Sequence, residues 1–174
     1  MKKTITKIDD CYIGSSIERS EDDTLISGKG QFGDDIGHPP GTLHVAVLRS
    51  SYASGKIVNI DTSGALAIPG VHSIIDGNMF AEISKPLLSV LRVDIEVWPC
   101  AIEFVRYVGE PIALVLAKDR YIAEDAIENI KVSYKQLEPI IDTYKATLDD
   151  SPKVHNQLKT NVLSDREFCY GNPN

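Results

Sequence analysis

The sequence predicts an α+β fold with a mixed sheet, organised around a strand-turn-strand-helix-strand unit at residues 103–134. Within this unit the apolar residues form first a continuous run, then a helical stripe, and finally an alternation with polar residues. Such changes of period separate a buried strand, an amphipathic helix and a half-exposed strand. The rest of the chain adds further strands around this unit and an extended N-terminal arm.

A glycine turn opens the unit. Gly109 can adopt the positive φ that the third position of a type II turn requires, with Tyr107 and Glu110 at the two ends of the turn. Pro111 fixes its own φ, favours an extended Glu110, and begins a strand without removing a central ladder bond. The apolar run at 112–117 is typical of a strand that is covered on both faces.

A helix and a second strand follow this strand. Asp119 is predicted to cap the helix by accepting hydrogen bonds from its first free amides. The apolar stripe of the helix consists of Ala123, Ala126, Ile127 and Ile130. The strand at 130–134 then alternates apolar and polar residues. About a dozen residues separate the two strands, which is enough for a right-handed parallel crossover.

The other elements are shorter. Strands are predicted at 43–49, 56–61 and 71–75, with the one at 56–61 placed at a sheet edge because it contains Lys56 and Asn59. Helical turns are predicted at 21–28, 62–67, 77–80 and 143–148. Residue Thr62 or Ser63 is the predicted cap of the second of these.

One stretch imitates a nucleotide-binding loop. Residues 28–33 match the GxGxxG spacing, but that loop needs a preceding strand and a following helix whose free amides bind phosphate. Acidic residues precede the glycines, and Asp34 and Asp35 follow them and would repel phosphate. The sequence therefore favours a loop with glycine hinges, in which Phe32 is an apolar anchor.

The composition narrows the possible partners. A net charge of −7 argues against nucleic acid and against an anionic membrane surface as partners. The chain has no apolar run of the roughly 18 residues that span a membrane and no signal peptide, so we expect a cytoplasmic protein. Cys11, Cys100 and Cys169 lie far apart and are expected to be reduced thiols. Three thiols cannot supply the four thiolates of an iron–sulfur cluster.

No catalytic, cofactor-binding or metal-binding residue is predicted. The histidines are scattered, and none lies at metal-ligand spacing from a cysteine or an acid. Two other residues remain candidates for an interface. Arg106, in an apolar strand, would be costly if buried alone, so it either pairs with Glu110 or contacts a partner. Trp98 is either a core anchor, which we favour, or an interface anchor.

The residues at 105–111 and 119–126 resemble the signature of one domain. It is the N-terminal α/β hammerhead domain of the large, molybdopterin-binding subunit in the xanthine dehydrogenase, aldehyde oxidase and carbon monoxide dehydrogenase family. The motif residues are Arg106, Tyr107, Gly109, Glu110, Pro111 and Asp119. The resemblance implies an arm at 1–40, the hammerhead domain at 41–150, and a tail at 151–174 that leads to where the family's next domain would begin.

The resemblance also implies a function. The chain would be the non-catalytic N-terminal piece of a split large subunit of a molybdenum hydroxylase, an oxidoreductase. It would bind no cofactor alone, because molybdopterin, iron–sulfur clusters and FAD would lie in partner chains. Its partners would be the remaining large-subunit domains together with iron–sulfur and FAD subunits. The alternative is a stand-alone hammerhead module, or a remnant, that self-associates or binds another protein and has no redox role.

Overall fold

The computed structural model describes residues 13–87 and 95–171. The chain forms two compact units, Met1–Pro40 and Gly41–Asn174. The division into an arm at 1–40, a domain at 41–150 and a tail at 151–174 stays a prediction.

The first unit contains helix α1 (Asp22–Ile26) and one 3-10 turn (Gly33–Ile36). Gly28 ends α1 with a φ of 69°, and its N–H donates to the carbonyl of Leu25. The next N–H, that of Lys29, donates to Thr24, which completes a Schellman motif. The GxGxxG stretch is followed only by the short 3-10 turn. Phe32 is 67% exposed, so its predicted role as an apolar anchor is wrong in the chain by itself.

The second unit contains two three-stranded sheets. The first sheet has the order β1 (His44–Arg49), β5 (Pro111–Ala117), β3 (Val71–Asp76), and the second has the order β4 (Phe104–Val105), β2 (Gly55–Asp61), β6 (Lys131–Gln136). Every pairing between these strands is antiparallel. Helices α2 (Ser63–Leu66), α3 (Gly77–Ile83), α4 (Arg120–Glu128) and α5 (Thr143–Ala146) connect or follow the strands. The predicted α+β class and the strand-turn-strand-helix-strand order are confirmed.

The predicted parallel crossover is wrong. Strands β5 and β6 belong to different sheets, so α4 connects the two sheets instead of returning to the first one. Both edges of β5 are already occupied, by β1 and β3, and this leaves no edge at which β6 can pair. The alternating burial of β6 suits an antiparallel sheet with one solvated face. The mixed sheet is therefore replaced by two antiparallel ones.

Two local predictions also need correction. Strand β2 is the centre of the second sheet and not an edge, and its Lys56 is accommodated by an ion pair with Glu103 at 2.8 Å. At the start of α2, the Asp61 carboxylate accepts from both the N–H and the hydroxyl of Ser63, at 3.0 and 2.6 Å. These bonds lower the pKa of Asp61. The acceptor at the start of α2 is therefore Asp61, the residue before the predicted caps Thr62 and Ser63.

The packing of α4 follows its sequence pattern. The Asp119 carboxylate accepts from the N–H of Ile122 at 2.9 Å, as predicted for a cap. Ala123 and Ala126 are fully buried against β5 and β1, and their small side chains let the helix approach the first sheet closely. A further cluster, formed by Ala101, Val105 and Ile112, joins β4 to β5 and continues toward β2 and β6.

Candidate partner-binding surface

The turn at residues 107–110 has the predicted geometry. Gly109 has a φ of 92°, and the Glu110 N–H donates to the Tyr107 carbonyl at 3.2 Å. The end of β1 holds the turn from the side. Ser50 accepts from the Gly109 N–H at 2.8 Å and donates its own N–H to the Glu110 carbonyl at 2.9 Å, while Arg49 Nη1 donates to the Gly109 carbonyl at 3.0 Å. The turn is therefore a rigid feature of the surface.

The predicted pair of Arg106 with Glu110 is present. Arg106 Nη1 donates to Glu110 Oε1 at 2.9 Å, and the Arg106 backbone N–H donates to the other carboxylate oxygen. The Glu110 side chain is 11% exposed and that of Arg106 is 27% exposed. A buried carboxylate that accepts two hydrogen bonds, one of them from a cation, has its charge balanced in place. The pair fixes the turn from inside.

The tip of the turn is apolar and exposed. Tyr107 is 55% exposed and Val108 is 64% exposed. Neighbouring large side chains held outside by a rigid backbone lose little conformational entropy when they bind, and this favours a contact surface. We refer to Tyr107 and Val108 as the turn tip.

A cleft of about 900 Å³ lies beside the turn, and we call it the turn cleft. Its walls come from three segments, within 96–104, 106–111 and 154–157, and from Leu87. Trp98 lines it, is only partly buried, and donates its indole N–H to Glu96 at 3.2 Å. It is not among the buried core residues, so the favoured interpretation of Trp98 as a core anchor does not hold in the chain alone.

The wall of the cleft at 154–157 is held in place by Asn161, which no sequence pattern singles out. The Asn161 side chain accepts from the Val154 N–H at 2.9 Å and donates to the carbonyls of Pro152 and Ala146 at 2.8 and 3.0 Å. These bonds fold residues 152–161 back, so that His155 lines the cleft. Burial and the nearby Arg106 charge lower the pKa of His155. An asparagine in a polar tail carries no sequence signal for this arrangement.

Two buried nitrogens at the cleft remain unsatisfied. Arg106 Nε and His155 Nδ1 have no hydrogen-bond partner among the residues that the structure describes. A buried donor or acceptor without a partner costs about 1–3 kcal/mol. Cys100, at the back of the cleft, is almost completely buried, and burial together with the Asp76 charge raises its pKa to about 11. Its thiol is therefore protonated and unreactive at neutral pH.

Within residues 13–87 and 95–171, no group of three or more His, Cys, Asp or Glu side chains is arranged to hold a metal ion. Cys100 and Cys169 are free thiols, and Cys11 lies outside the described residues. No helix in the same parts of the chain is long and apolar enough to cross a membrane.

Residues 27–138 match the family model described as aldehyde oxidase and xanthine dehydrogenase, a/b hammerhead domain. The chain belongs to this family. The match includes β1 to β6, both motif segments and the turn tip, so the predicted resemblance and the hammerhead fold are confirmed.

Relatives of this hammerhead domain are parts of much longer chains. The carbon monoxide dehydrogenase large chain of Hydrogenophaga pseudoflava is 37% identical over 138 residues, which cover 79% of this chain and 17% of the relative. The structure of quinoline 2-oxidoreductase from Pseudomonas putida 86 is similar with a TM-score of 0.75 and 37% identity, covering 87% of this chain and 20% of the other. The chain thus spans a fifth or less of the length of these two relatives.

A third relative is shorter. The nicotinate dehydrogenase large molybdopterin subunit of Eubacterium barkeri is 31% identical over 147 residues, covering 84% of this chain and 33% of the relative. A similar length of match covers 17% of the Hydrogenophaga chain, so the Eubacterium chain is about half as long. All three relatives are named as oxidoreductases, which agrees with the oxidoreductase family that the sequence predicts.

Proposed function

We propose that the chain is the non-catalytic N-terminal piece of a split large subunit of a molybdenum hydroxylase. The observation that carries the proposal is a hammerhead domain with a rigid turn whose tip, Tyr107 and Val108, faces outward. In the relatives this domain is a small part of a longer polypeptide. Here the other domains would come from a second chain that covers the turn tip and the turn cleft.

Differences in length among the relatives support a divided subunit. The hammerhead match lies both in the long Hydrogenophaga chain and in the Eubacterium chain of about half its length. Large-subunit sequence of this family therefore occurs in polypeptides of different extents. In such an assembly the tail at 151–174 would lead to the next domain of the large subunit.

The assembled enzyme would oxidise a carbon centre with oxygen derived from water. Molybdopterin, the iron–sulfur clusters and FAD would be held by partner chains, and this chain would bind none of them alone. The described residues of this chain would supply contact surface. Arg106 has a local role in this scheme, because its pair with Glu110 positions the turn. The contact itself would involve the turn tip and Trp98, since aromatic residues are enriched among binding hot spots.

Capture from the native host tests this proposal. The tagged 174-residue chain is expected to bring down larger chains together with molybdenum, iron and flavin. The paired change Tyr107→Ser and Val108→Ser should weaken capture, since both side chains leave the contact. The matched control is Tyr121→Ser on α4, a residue that is 76% exposed and outside this surface. An eluate with only this chain and neither metal nor flavin would favour the stand-alone module or the remnant.

A further inference from the structure

Residues 152–161 form a segment that a single side chain holds against the domain, and we call it the strap. The Asn161 side chain closes it with three hydrogen bonds of 2.8 to 3.0 Å. Within the strap, the Leu158 N–H donates to the His155 carbonyl at 2.9 Å and closes a tight turn. A segment that is held by a few bonds near the surface can open locally while the rest of the domain stays folded.

The strap is a wall of two clefts. Residues 154–157 line the turn cleft, and four strap residues between 152 and 156 line a smaller cleft of about 320 Å³. Phe104 and Arg106 line both clefts as well. Release of the strap would therefore join the two clefts and uncover Phe104 and Arg106 on that side.

The closed strap buries one nitrogen of an ionisable ring. His155 Nδ1 is buried and has no hydrogen-bond partner among the residues that the structure describes. A neutral imidazole tolerates this position, because it can carry its proton on Nε2 and leave Nδ1 unprotonated. In the imidazolium both nitrogens carry a proton, and the one on Nδ1 would be a buried charged donor without an acceptor. A second proton on the ring therefore disfavours the closed strap.

We propose that the strap is a proton-sensitive latch, which is closed while His155 is neutral and is released when the imidazole takes up a proton from solvent. Release breaks the bonds of Asn161, moves the ring away from Arg106 and brings the Nδ1 proton to water. The latch belongs to the chain alone and is independent of the proposed function.

The charges around the ring favour this direction. Burial lowers the pKa of His155, and the Arg106 charge lowers it further. Glu110, the acid nearest in sequence to Arg106, is paired with that arginine at 2.9 Å, and Glu103 is paired with Lys56 at 2.8 Å. The titratable groups that line the two clefts besides Arg106 and His155 are Glu96, Cys100, Glu103, Tyr107, Glu110, Glu138 and Lys153.

The dependence on pH follows from the lowered pKa. Above pH 6.5, the usual pKa of the side chain, His155 is neutral in both the closed and the released strap, and closure is most stable. Closure weakens progressively as the pH falls from 6.5 through the lowered pKa of the closed form. Opening should become about three- to eightfold more frequent between pH 7 and pH 5.5.

Hydrogen exchange of the complete chain, followed by NMR, tests the latch. The Val154 N–H donates to Asn161 in the closed strap, so its exchange rate, corrected for the intrinsic effect of pH, reports opening. Its protection should fall about three- to eightfold from pH 7 to pH 5.5. His155→Leu should remove this dependence. His72→Leu, a change on β3 at an exposed histidine outside both clefts, is the control and should retain it.

Titration of the ring provides the reciprocal measurement. Asn161→Ala removes all three bonds that close the strap, so the pKa of His155, followed by its ring nitrogen signals, should rise toward 6.5. The control is Asn129→Ala, which removes a side-chain bond to the Asp125 carbonyl at the end of α4 and should leave the pKa of His155 unchanged. Circular dichroism of each variant checks that the fold is retained.

Three results would overturn the latch. A flat pH profile of Val154 in the unmodified chain would show that the strap stays closed around an imidazolium. The same profile with and without His155→Leu would assign the pH dependence to another group. A pKa of His155 that does not respond to Asn161→Ala would show that the ring is buried without help from the strap. Capture of larger chains is a separate measurement, and its failure would leave the latch in place.

Discussion

Two arginine–glutamate pairs in this chain have the same sequence spacing and nearly the same N–O distance, yet they lie in opposite environments. Arg106–Glu110 at the turn has an N–O distance of 2.9 Å, with side chains 27% and 11% exposed. Arg120–Glu124 on α4 has a distance of 2.8 Å, with side chains 74% and 50% exposed. The comparison shows that the (i, i+4) pattern alone does not determine what a pair contributes. The contribution of a pair depends on the burial of its carboxylate, because burial determines how much solvation each partner has lost.

The largest expected effect tests this difference directly. Glu110→Ala leaves the Arg106 charge partly buried and removes the acceptor of its backbone N–H. Removing one partner of a buried pair costs about 3–5 kcal/mol, and the partial exposure of Arg106 reduces this to about 2–4 kcal/mol. Urea unfolding followed by circular dichroism would measure the free energy of unfolding.

Glu124→Ala is the control for this change, and it should cost no more than about 0.5 kcal/mol, as exposed helix pairs do. Equal losses from the two variants would show that burial does not separate the pairs, and the comparison would then fail.

A second change tests how tightly the turn side of the domain is packed. A Cβ at Gly77, the first residue of α3, would lie 2.3 Å from the Ala101 carbonyl oxygen, a backbone atom that cannot rotate away. Gly77→Ala must therefore displace the segment that carries Trp98, at a cost of about 1–3 kcal/mol. Gly33→Ala is the control, since a Cβ there meets nothing within 4 Å. A similar thermal midpoint for both variants would show that this close approach is unimportant.

A third change addresses the helix side of the comparison. Asp119→Ala removes the cap that accepts from the Ile122 N–H at 2.9 Å, and the expected loss is about 1 kcal/mol. Asp125→Ala, on the exposed face of the same helix, removes an equal charge without touching the cap and should change stability by less than half of that. If the Asp125 variant lost as much, general helix electrostatics would account for the effect in place of capping.

Local interactions explain what the sequence could predict. The positive φ of Gly109 and the cap of Asp119 are set within four residues, and the burial of Ala123 and Ala126 follows from helical periodicity alone. The strand partners of β5 and β6 could not be read in this way, because pairing depends on which sheet edges other strands have already occupied. The same limit applies to the cleft: His155 reaches it only through the bonds of Asn161, which join residues up to 15 positions apart.

The smallest expected effect on stability is at the turn tip. Tyr107→Ser and Val108→Ser together remove apolar surface that is mostly in contact with water, so the free energy of unfolding should change by no more than about 0.5 kcal/mol. The turn itself is held by Gly109, Glu110 and Ser50, whose bonds remain in the variant. A loss above about 1.5 kcal/mol would mean that these side chains serve the fold of this chain. A negligible loss, combined with weaker capture of larger chains, would mean that they serve a partner, and that the buried pair beneath them exists to hold them in place.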